Sequence, residues 1–422
     1  MPRASGARAK MLVKFETTAG IIPTGNWTQM PFVSSDLGEE QGLIESDLLG
    51  QDRENYDPTP DVKNDAGDLV VPVDARAFGI HLKHQFGDPV TGAGDAAGGT
   101  IVFTAQPAAA STVTVNGVAF TFVASGATGN QSNIGANLAA TLTALAGVLN
   151  ASANASITPA TYAATATALT VTHDTGGVGG NGFTLAASAQ SNGTPSGPTL
   201  AGGNFAHVFT TGAAALPSLS IEIGHPEIPS FSVHYKSRAG SMRIAMSRRG
   251  LLNATVGIVA QGETATSPTS AGGTPTGFSA PEIVRFAQAT GSITLDGVQL
   301  GDVVSADWMH SNNLDLIEVI RPDSRIEDAD PQNTTFSGTV TMRYGSNAMR
   351  AKAESGVPVL LTLGWTNRIG SLTISVPRVF LPKAKNPVSG PRGIQASYPW
   401  QASAGSGGHA ATIIFKSDLA SF

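Results

Sequence analysis

The sequence predicts a mainly β protein of α+β type, with two tandem copies of a strand-rich unit, each carrying one helix, and a small α+β unit inserted in the first. Three observations carry this. The composition is apolar (41%) and poor in charge (13%), with 49 glycines and 25 prolines, which favours strands and many turns over a helical bundle. Charge vanishes between Ala96 and Asn204, where Asp174 is the sole charged residue, so a separate unit begins and ends there. Outside that gap a plan of strand, turn and helix recurs, and 422 residues are long enough for two or three domains.

The N-terminal MPRASGARAKMLVKFETT is basic and lacks the apolar run of a secretory signal, and no run approaches the roughly 18 apolar residues of a membrane span. Without cysteine, disulfides, thiolate zinc sites and cysteine nucleophiles are excluded, as suits synthesis in a reducing cytoplasm. An acidic stretch follows, SSDLGEEQGLIESDLLGQDRENYDPTPDVKND, and then AGDLVVPVDARAFGIHLKHQFG reads as strand, turn and helix.

In the uncharged segment, TVTVNGVAFTFV is a hairpin turning at Asn116-Gly117. NIGANLAATLTALAGVLNAS sets Ile134, Leu138, Leu142, Leu145 and Leu149 at helical spacing, and ALTVTHDTGG and GFTLAAS read as two further strands. The ends of the segment, VTGAGDAAGG and GTPSGPTLAGG, read as flexible tethers. Beyond it, SFSVHYKSRAGSMRIAMSRRGLLNATVGIVAQGE holds three alternating apolar runs, at Phe231–Tyr235, Met242–Met246 and Leu252–Ile258, which predict three successive half-buried strands. A Gly/Pro/Thr-rich linker runs from Gly262 to Pro281. The second copy brings another acidic stretch, HSNNLDLIEVIRPDSRIEDADPQN, and repeats the strand-turn-helix plan in SGTVTMRYGSNAMRAKAESG.

Offsets between the copies are nearly constant. Gly67 answers to Gly338, 271 positions on (338 − 67). After the helix, Leu219, Ile221 and Ile223 answer to Val359, Leu361 and Leu363 at 140, and Phe231, Val233 and Tyr235 to Leu372, Ile374 and Val376 at 141. Leu252, Ala254, Val256 and Ile258 answer to Ile394, Ala396, Tyr398 and Trp400 at 142. The excess of about 130 falls where the uncharged segment sits, so the segment interrupts a loop of the first copy. The expected division is 1–95 with 205–263 as the first domain, 96–204 as the insert, 264–280 as a linker and 281–422 as the second domain.

Catalytic signatures are missing, and no catalytic, cofactor or metal site is expected. Asp174-Thr175-Gly176 occurs once, whereas an aspartic protease needs two facing copies, so it reads as the close of a strand. GGVGGNGFT is one turn of a calcium β-roll without the tandem array, and a strand follows it where a dinucleotide loop needs a helix. His81 and His84, three apart, read as ordinary helix-surface histidines, since a metal would need further ligands. The remaining signals are charges. Asp52, Arg53 and Glu54 in the first acidic loop and Arg321, Asp323 and Arg325 in the second read as contact arms toward a neighbouring subunit. The basic cluster Lys236, Arg238, Arg243, Arg248 and Arg249 reads as the surface that meets a neighbour's acidic loops.

Together GDLVVPVDARAFGIHLKHQFGDP, FAHVFTTG, LPSLSIEIGHPEIPSFSVHYKSRAGSMRIAMSRRGLLNATVGIVAQG and LDGVQLGDVVSADWMHSNNLDL resemble the major tail tube proteins of long non-contractile-tailed bacteriophages, over most of the chain outside the insert. The resemblance rests on element order, without one diagnostic motif. It implies two tail-tube-like β-sandwich or half-barrel domains, rings whose inner strands form a continuous barrel, and rings stacked into a hollow tube for DNA ejection. Relatives form sixfold rings, so a duplicated chain implies a trimer with pseudo-sixfold symmetry in preference to a hexamer.

The implied partners are further copies of the chain, other tail proteins, and a tape measure protein and double-stranded DNA in the lumen without sequence-specific contact. A net charge of −6 suits a lumen that must not grip phosphate. The insert resembles small decoration domains, and its Thr/Asn/Ser-rich surface is compatible with weak contact to host surface glycans. The implied location is the virion tail, after synthesis in the host bacterial cytoplasm. The alternatives are another virion component, such as a tail terminator, baseplate hub or capsid decoration protein, and a surface adhesin.

Overall fold

The computed structural model describes residues 3–49, 53–54, 56–278, 282–385 and 393–422. The first copy begins with β1 (Lys10–Phe15), β2 (Ser34–Ser35), β3 (Gly38–Ile44), β4 (Thr59–Pro72), α1 (Phe78–Phe86) and β5 (Val90–Ala93). The uncharged segment contributes β6 (Ala96–Phe103), β7 (Thr112–Val115), β8 (Val118–Val123), β9 (Gln131–Asn133), α2 (Leu138–Asn150), β10 (Ala160–Ala164), β11 (Ala168–Gly176), β12 (Leu185–Ala187) and β13 (Gly193–Pro195). The first copy resumes with β14 (Phe205–Thr210), β15 (Leu219–His225), β16 (Ser230–Met246) and β17 (Asn253–Ala260). The second copy comprises β18 (Ser292–Leu295), β19 (Val303–Ser311), β20 (Thr335–Arg343), α3 (Ala348–Ser355), β21 (Val359–Thr366), β22 (Ser371–Phe380), β23 (Gln395–Ala402) and β24 (Thr412–Ser417).

The chain is mainly β in class, and its sheets are open. Alternation in sequence becomes alternation in burial: in β17, Ala254, Val256, Ile258 and Ala260 point inward while the residues between them are half-exposed. The two copies share one apolar core that runs from Met11 and Val71 through Trp308 and Tyr398 to Phe415.

Strand register proves the copies alike. Gly67 pairs with Ile258, and Gly338 pairs with Trp400, which is 142 beyond Ile258. Gly67 also lies against the backbone of Leu37, and Gly338 pairs with Trp308, which is 271 beyond Leu37. A Cβ on Gly67 would come within 2.5 Å of Leu37 Cα, and one on Gly338 within 2.1 Å of the Asp307 carbonyl oxygen, so both glycines let a neighbouring strand approach. Even the irregularities repeat. The pairing of β15 with β16 shifts between Leu219 and Ile221, and that of β21 with β22 between Val359 and Leu361, 140 positions on. Ahead of the first strand of each copy stand 3-10 turns, Gly6–Arg8 and Gln288–Thr290, 282 apart (288 − 6).

The uncharged segment has its own core, with every buried member between Ala97 and Leu200, and two four-stranded sheets ordered β9-β8-β7-β12 and β10-β11-β6-β13. Its hairpin turns at Asn116 (φ 44°) and Gly117 (φ 80°), both left-handed as a type I′ turn requires. Asn137 caps α2 by accepting from the Ala140 amide at 2.9 Å, and Leu142, Leu145 and Leu149 face inward.

Four expectations need correction. Residues 230–263 hold two long strands rather than three, because Tyr235 to Gly240 never turn back. Lys236 (φ 52°) and a register shift between Ala239 and Ser241 instead bend one 17-residue strand, which leaves β15 and joins β17. The expected tethers form a tight neck: β5 pairs with β14, the Gly94 amide donates to the Asn204 carbonyl at 2.9 Å, and the Asp95 amide donates to Asn204 Oδ1 at 2.9 Å. The expected linker is packed along the first copy, where the Thr264 amide donates to the Val233 carbonyl and Ser267 pairs with Phe231.

Finally, His81 and His84 are buried rather than at a helix surface. The chain's C-terminal residues lie across α1, with Phe422 against Gly79 and the Phe422 carbonyl accepting from Lys83 Nζ, while His84 Nε2 lies 3.1 Å from the Ser237 carbonyl beneath.

Candidate assembly joint

The two copies meet edge to edge. The last six residues of β16 run antiparallel to β19, from Ser241 opposite Ser311 to Met246 opposite Ala306. Met242, Ile244 and Trp308 fill the buried side of this seam. On its outer side Arg243 Nη2 donates to Asp307 Oδ2 at 2.7 Å, and Asp307 Oδ1 accepts from the Thr339 amide at 2.8 Å. Both aspartate oxygens are thereby satisfied across three strands.

The acidic loop of the second copy folds over the first. Arg325 forks onto Glu39, with Nε to Oε2 at 2.6 Å and Nη2 to Oε1 at 2.9 Å, and also donates to the Glu263 carbonyl and the Tyr235 hydroxyl. Two parallel charge-assisted bonds make this a strong polar contact of the joint. Burial pushes the Glu39 carboxyl up, but Arg325, the Glu263 amide and the Lys63 charge outweigh it and hold the group below the usual range. Lys236 Nζ reaches Asp328 at 3.2 Å, and Arg238 Nε lies 3.5 Å from the same carboxylate. Arg321 forks onto Asp323 at 3.0 and 3.1 Å, and that hydrogen bonding holds the Asp323 carboxyl down at about 2.

β14 of the first copy also runs antiparallel to β24 of the second, from Phe205 opposite Ser417 to Thr210 opposite Thr412, and a strap adds to the joint. The Ala75 amide donates to the Val284 carbonyl, the Phe286 amide to the Val73 carbonyl, and the Leu252 amide to the Phe286 carbonyl, at 2.9 to 3.0 Å. Residues 284–287 therefore fill the fork between Val73 and Leu252 of the first copy, with Phe286 wholly buried and Arg285 Nη2 donating to Asn253 Oδ1 at 2.5 Å.

Of the residues singled out from sequence, Arg238, Arg243, Arg321, Asp323 and Arg325 are thus gathered at or beside the seam between the copies of one chain. Arg248 and Arg249 are exposed in the turn after β16, where among the described residues neither side chain has an ion-pair partner. Arg53 and Glu54 are exposed, and Asp52 lies outside the described residues. Sequence reasoning missed Glu39, Asp307 and the strap; Phe286 beside Arg285 was the one available signal. Among the described residues no group of three His, Asp or Glu is placed to hold a metal ion.

Two like copies joined edge to edge, with charges engaged across the seam, define a structural assembly unit. The family model for phage tail tube proteins matches residues 6–191 and 184–402, two tandem regions. The chain belongs to the phage tail tube protein family and is a non-enzymatic structural protein of the virion tail that associates with itself and other tail proteins to form a tube. No curated protein matches it.

Proposed function

We propose that three copies of this chain close each ring of the tail tube, six like domains to a ring, and that the stacked rings form the conduit for DNA. The observation that carries this is the seam of β16 with β19, because among the described residues its counterpart on β3 has no partner strand. Among the described residues β3 pairs with β4 alone, so no strand covers its outer edge, which corresponds to the β16-facing edge of β19 and where the Glu39 amide donates to Glu263 Oε2 at 3.2 Å. With the first member carried forward by 142 and the second carried back by 271, the pairs Ser241–Ser311 and Arg243–Met309 become Lys383 of one chain opposite Glu40 of the next, and Lys385 opposite Gly38. Lys383 and Glu40 are both exposed and of opposite charge. One edge offered and one awaited is a head-to-tail interface, which closes into a ring when the rotation allows.

By the same correspondence the loop with Asp52, Arg53 and Glu54 would meet the next chain as the loop with Asp323 and Arg325 meets the first copy. Asp52 and Asp323 stand 271 apart (323 − 52). Residues 96–204 act as a decoration domain on the outer wall, three per ring, and their uncharged surface suits weak glycan contact. The lumen holds the tape measure protein and then double-stranded DNA without sequence-specific grip, and the subunits are made in the host cytoplasm.

Electron microscopy of the purified protein tests the ring: end-on views should show a hollow six-domain ring with three outer knobs. Six knobs would replace the trimer by a hexamer. Particles that stay single when concentrated would refute the ring.

A further inference from the structure

Resting on the ring reading, we infer that each chain also inserts its N-terminal segment, Arg3 to Ser5, into the second copy of the neighbouring chain, as residues 285–287 insert into the first copy of their own. The receiving fork exists twice. In the first copy the Val73 amide donates to the Leu252 carbonyl at 3.0 Å, and Phe286 is hydrogen-bonded into the fork beyond that pair. In the second copy the Tyr344 amide donates to the Ile394 carbonyl, also at 3.0 Å, at the positions 271 and 142 further on. There, among the described residues, nothing fills the fork. Among the described residues no hydrogen bond reaches the Tyr344 carbonyl or the Ile394 amide, the two groups whose counterparts hold Phe286. Beside it opens a cavity of about 440 Å³, lined by Leu295, Met342, Tyr344, Met349 and Tyr398 among others.

The inserting element also exists twice. The turn Gln288–Thr290 follows the strap, and the turn Gly6–Arg8 follows residues 3–5 at the constant separation of 282. Residues 3–8 are exposed in the single chain. Arg3 corresponds to Arg285, and Gln395 to Asn253, so the bond from guanidinium to side-chain amide oxygen can form again. Volume is redistributed across the contact. Val73 and Val256 of the first copy become Tyr344 and Tyr398, while Phe286 becomes Ala4, so a smaller plug meets a site already narrowed by two larger walls.

The pairings Asp74–Arg285 and Leu251–Ala287 translate to Gly345 opposite Arg3 and Gly393 opposite Ser5. Antiparallel partners lie about 4.5–5.5 Å apart between Cα atoms, within reach of a disulfide. The chain has no cysteine of its own, so engineered pairs report without background. Assembled rings of Arg3→Cys/Gly345→Cys and of Ser5→Cys/Gly393→Cys, oxidised mildly, should give covalent species of two and three chains at least tenfold above the mismatched pair Ser5→Cys/Gly345→Cys. Rings that form yet cross-link no better than the mismatch would overturn the insertion and leave the ring standing. Absence of rings in all three variants and in the parent chain would overturn the ring reading, and the insertion with it.

Discussion

Lowering the pH from 7 to 5 should destabilise the chain severely, because three buried histidines are neutral when folded. Burial pushes His81 down to about 3, with His84 adding to it, pushes His84 down to about 4, and pushes His310 down to about 3. The geometry agrees: among the described residues both ring nitrogens of His81, Nδ1 of His84 and Nε2 of His310 have no hydrogen-bond partner. Each of these groups takes up its proton only on unfolding. Their contribution is therefore complete above the ordinary value of 6.5 and is lost as pH falls toward the folded values.

From 6.5 to 5 each histidine costs about 2 kcal/mol, or about 6 for the three. Asp74 works the other way. Burial raises it to about 6, against the amides of Arg76, Ala77 and Phe78, so folding gains about 1 kcal/mol between pH 6 and 5. The net loss of about 5 kcal/mol is comparable to the whole stability of many domains. Denaturant midpoints of the unassembled chain at pH 7, 6 and 5 measure it. Equal midpoints at pH 7 and 5, or a higher one at pH 5, would refute the reasoning.

The matched glycines make a paired test. Gly67→Ala and Gly338→Ala each drive a methyl into a neighbouring backbone and should cost about 1–3 kcal/mol or more, read from thermal or denaturant unfolding. Gly147→Ala on α2, where a Cβ meets nothing within 4 Å, should instead stabilise its unit by about 0.5–1 kcal/mol. At the seam, Arg325→Ala leaves Glu39 without its fork and should cost about 2–3 kcal/mol, whereas Glu39→Gln with Arg325→Ala together should cost less than the two single changes summed, in a double-mutant cycle.

Local chemistry carried most of what was legible in the sequence. Asn116-Gly117 named its own turn, the leucines of α2 their helix, and the alternation around Leu252–Ile258 its strand. The offset of Gly67 to Gly338 was legible because both positions solve one problem, the close passage of a neighbouring strand. The bend in β16 escaped, since a single left-handed residue at Lys236 leaves no pattern in Lys-Ser-Arg. The neck of the insert escaped because Gly-rich runs signal flexibility unless their pairing partners, more than a hundred residues away, are known. The histidines of α1 were misplaced for a similar reason: what covers the helix lies more than a hundred residues away, Ser237 beneath His84 and the C-terminal residues against Gly79 and Lys83. The arginines were found, but their partners lay in acidic stretches too long to show which carboxylate would be used.

The seam of β16 with β19 is made while one chain folds, so it needs no encounter between molecules. In the proposed ring every second seam is of this kind. Dilution can open only the other three, and closure becomes a third-order rather than a sixth-order process in free subunits. The covalent link also enforces alternation around the ring, so that two bulky outer units can never stand side by side.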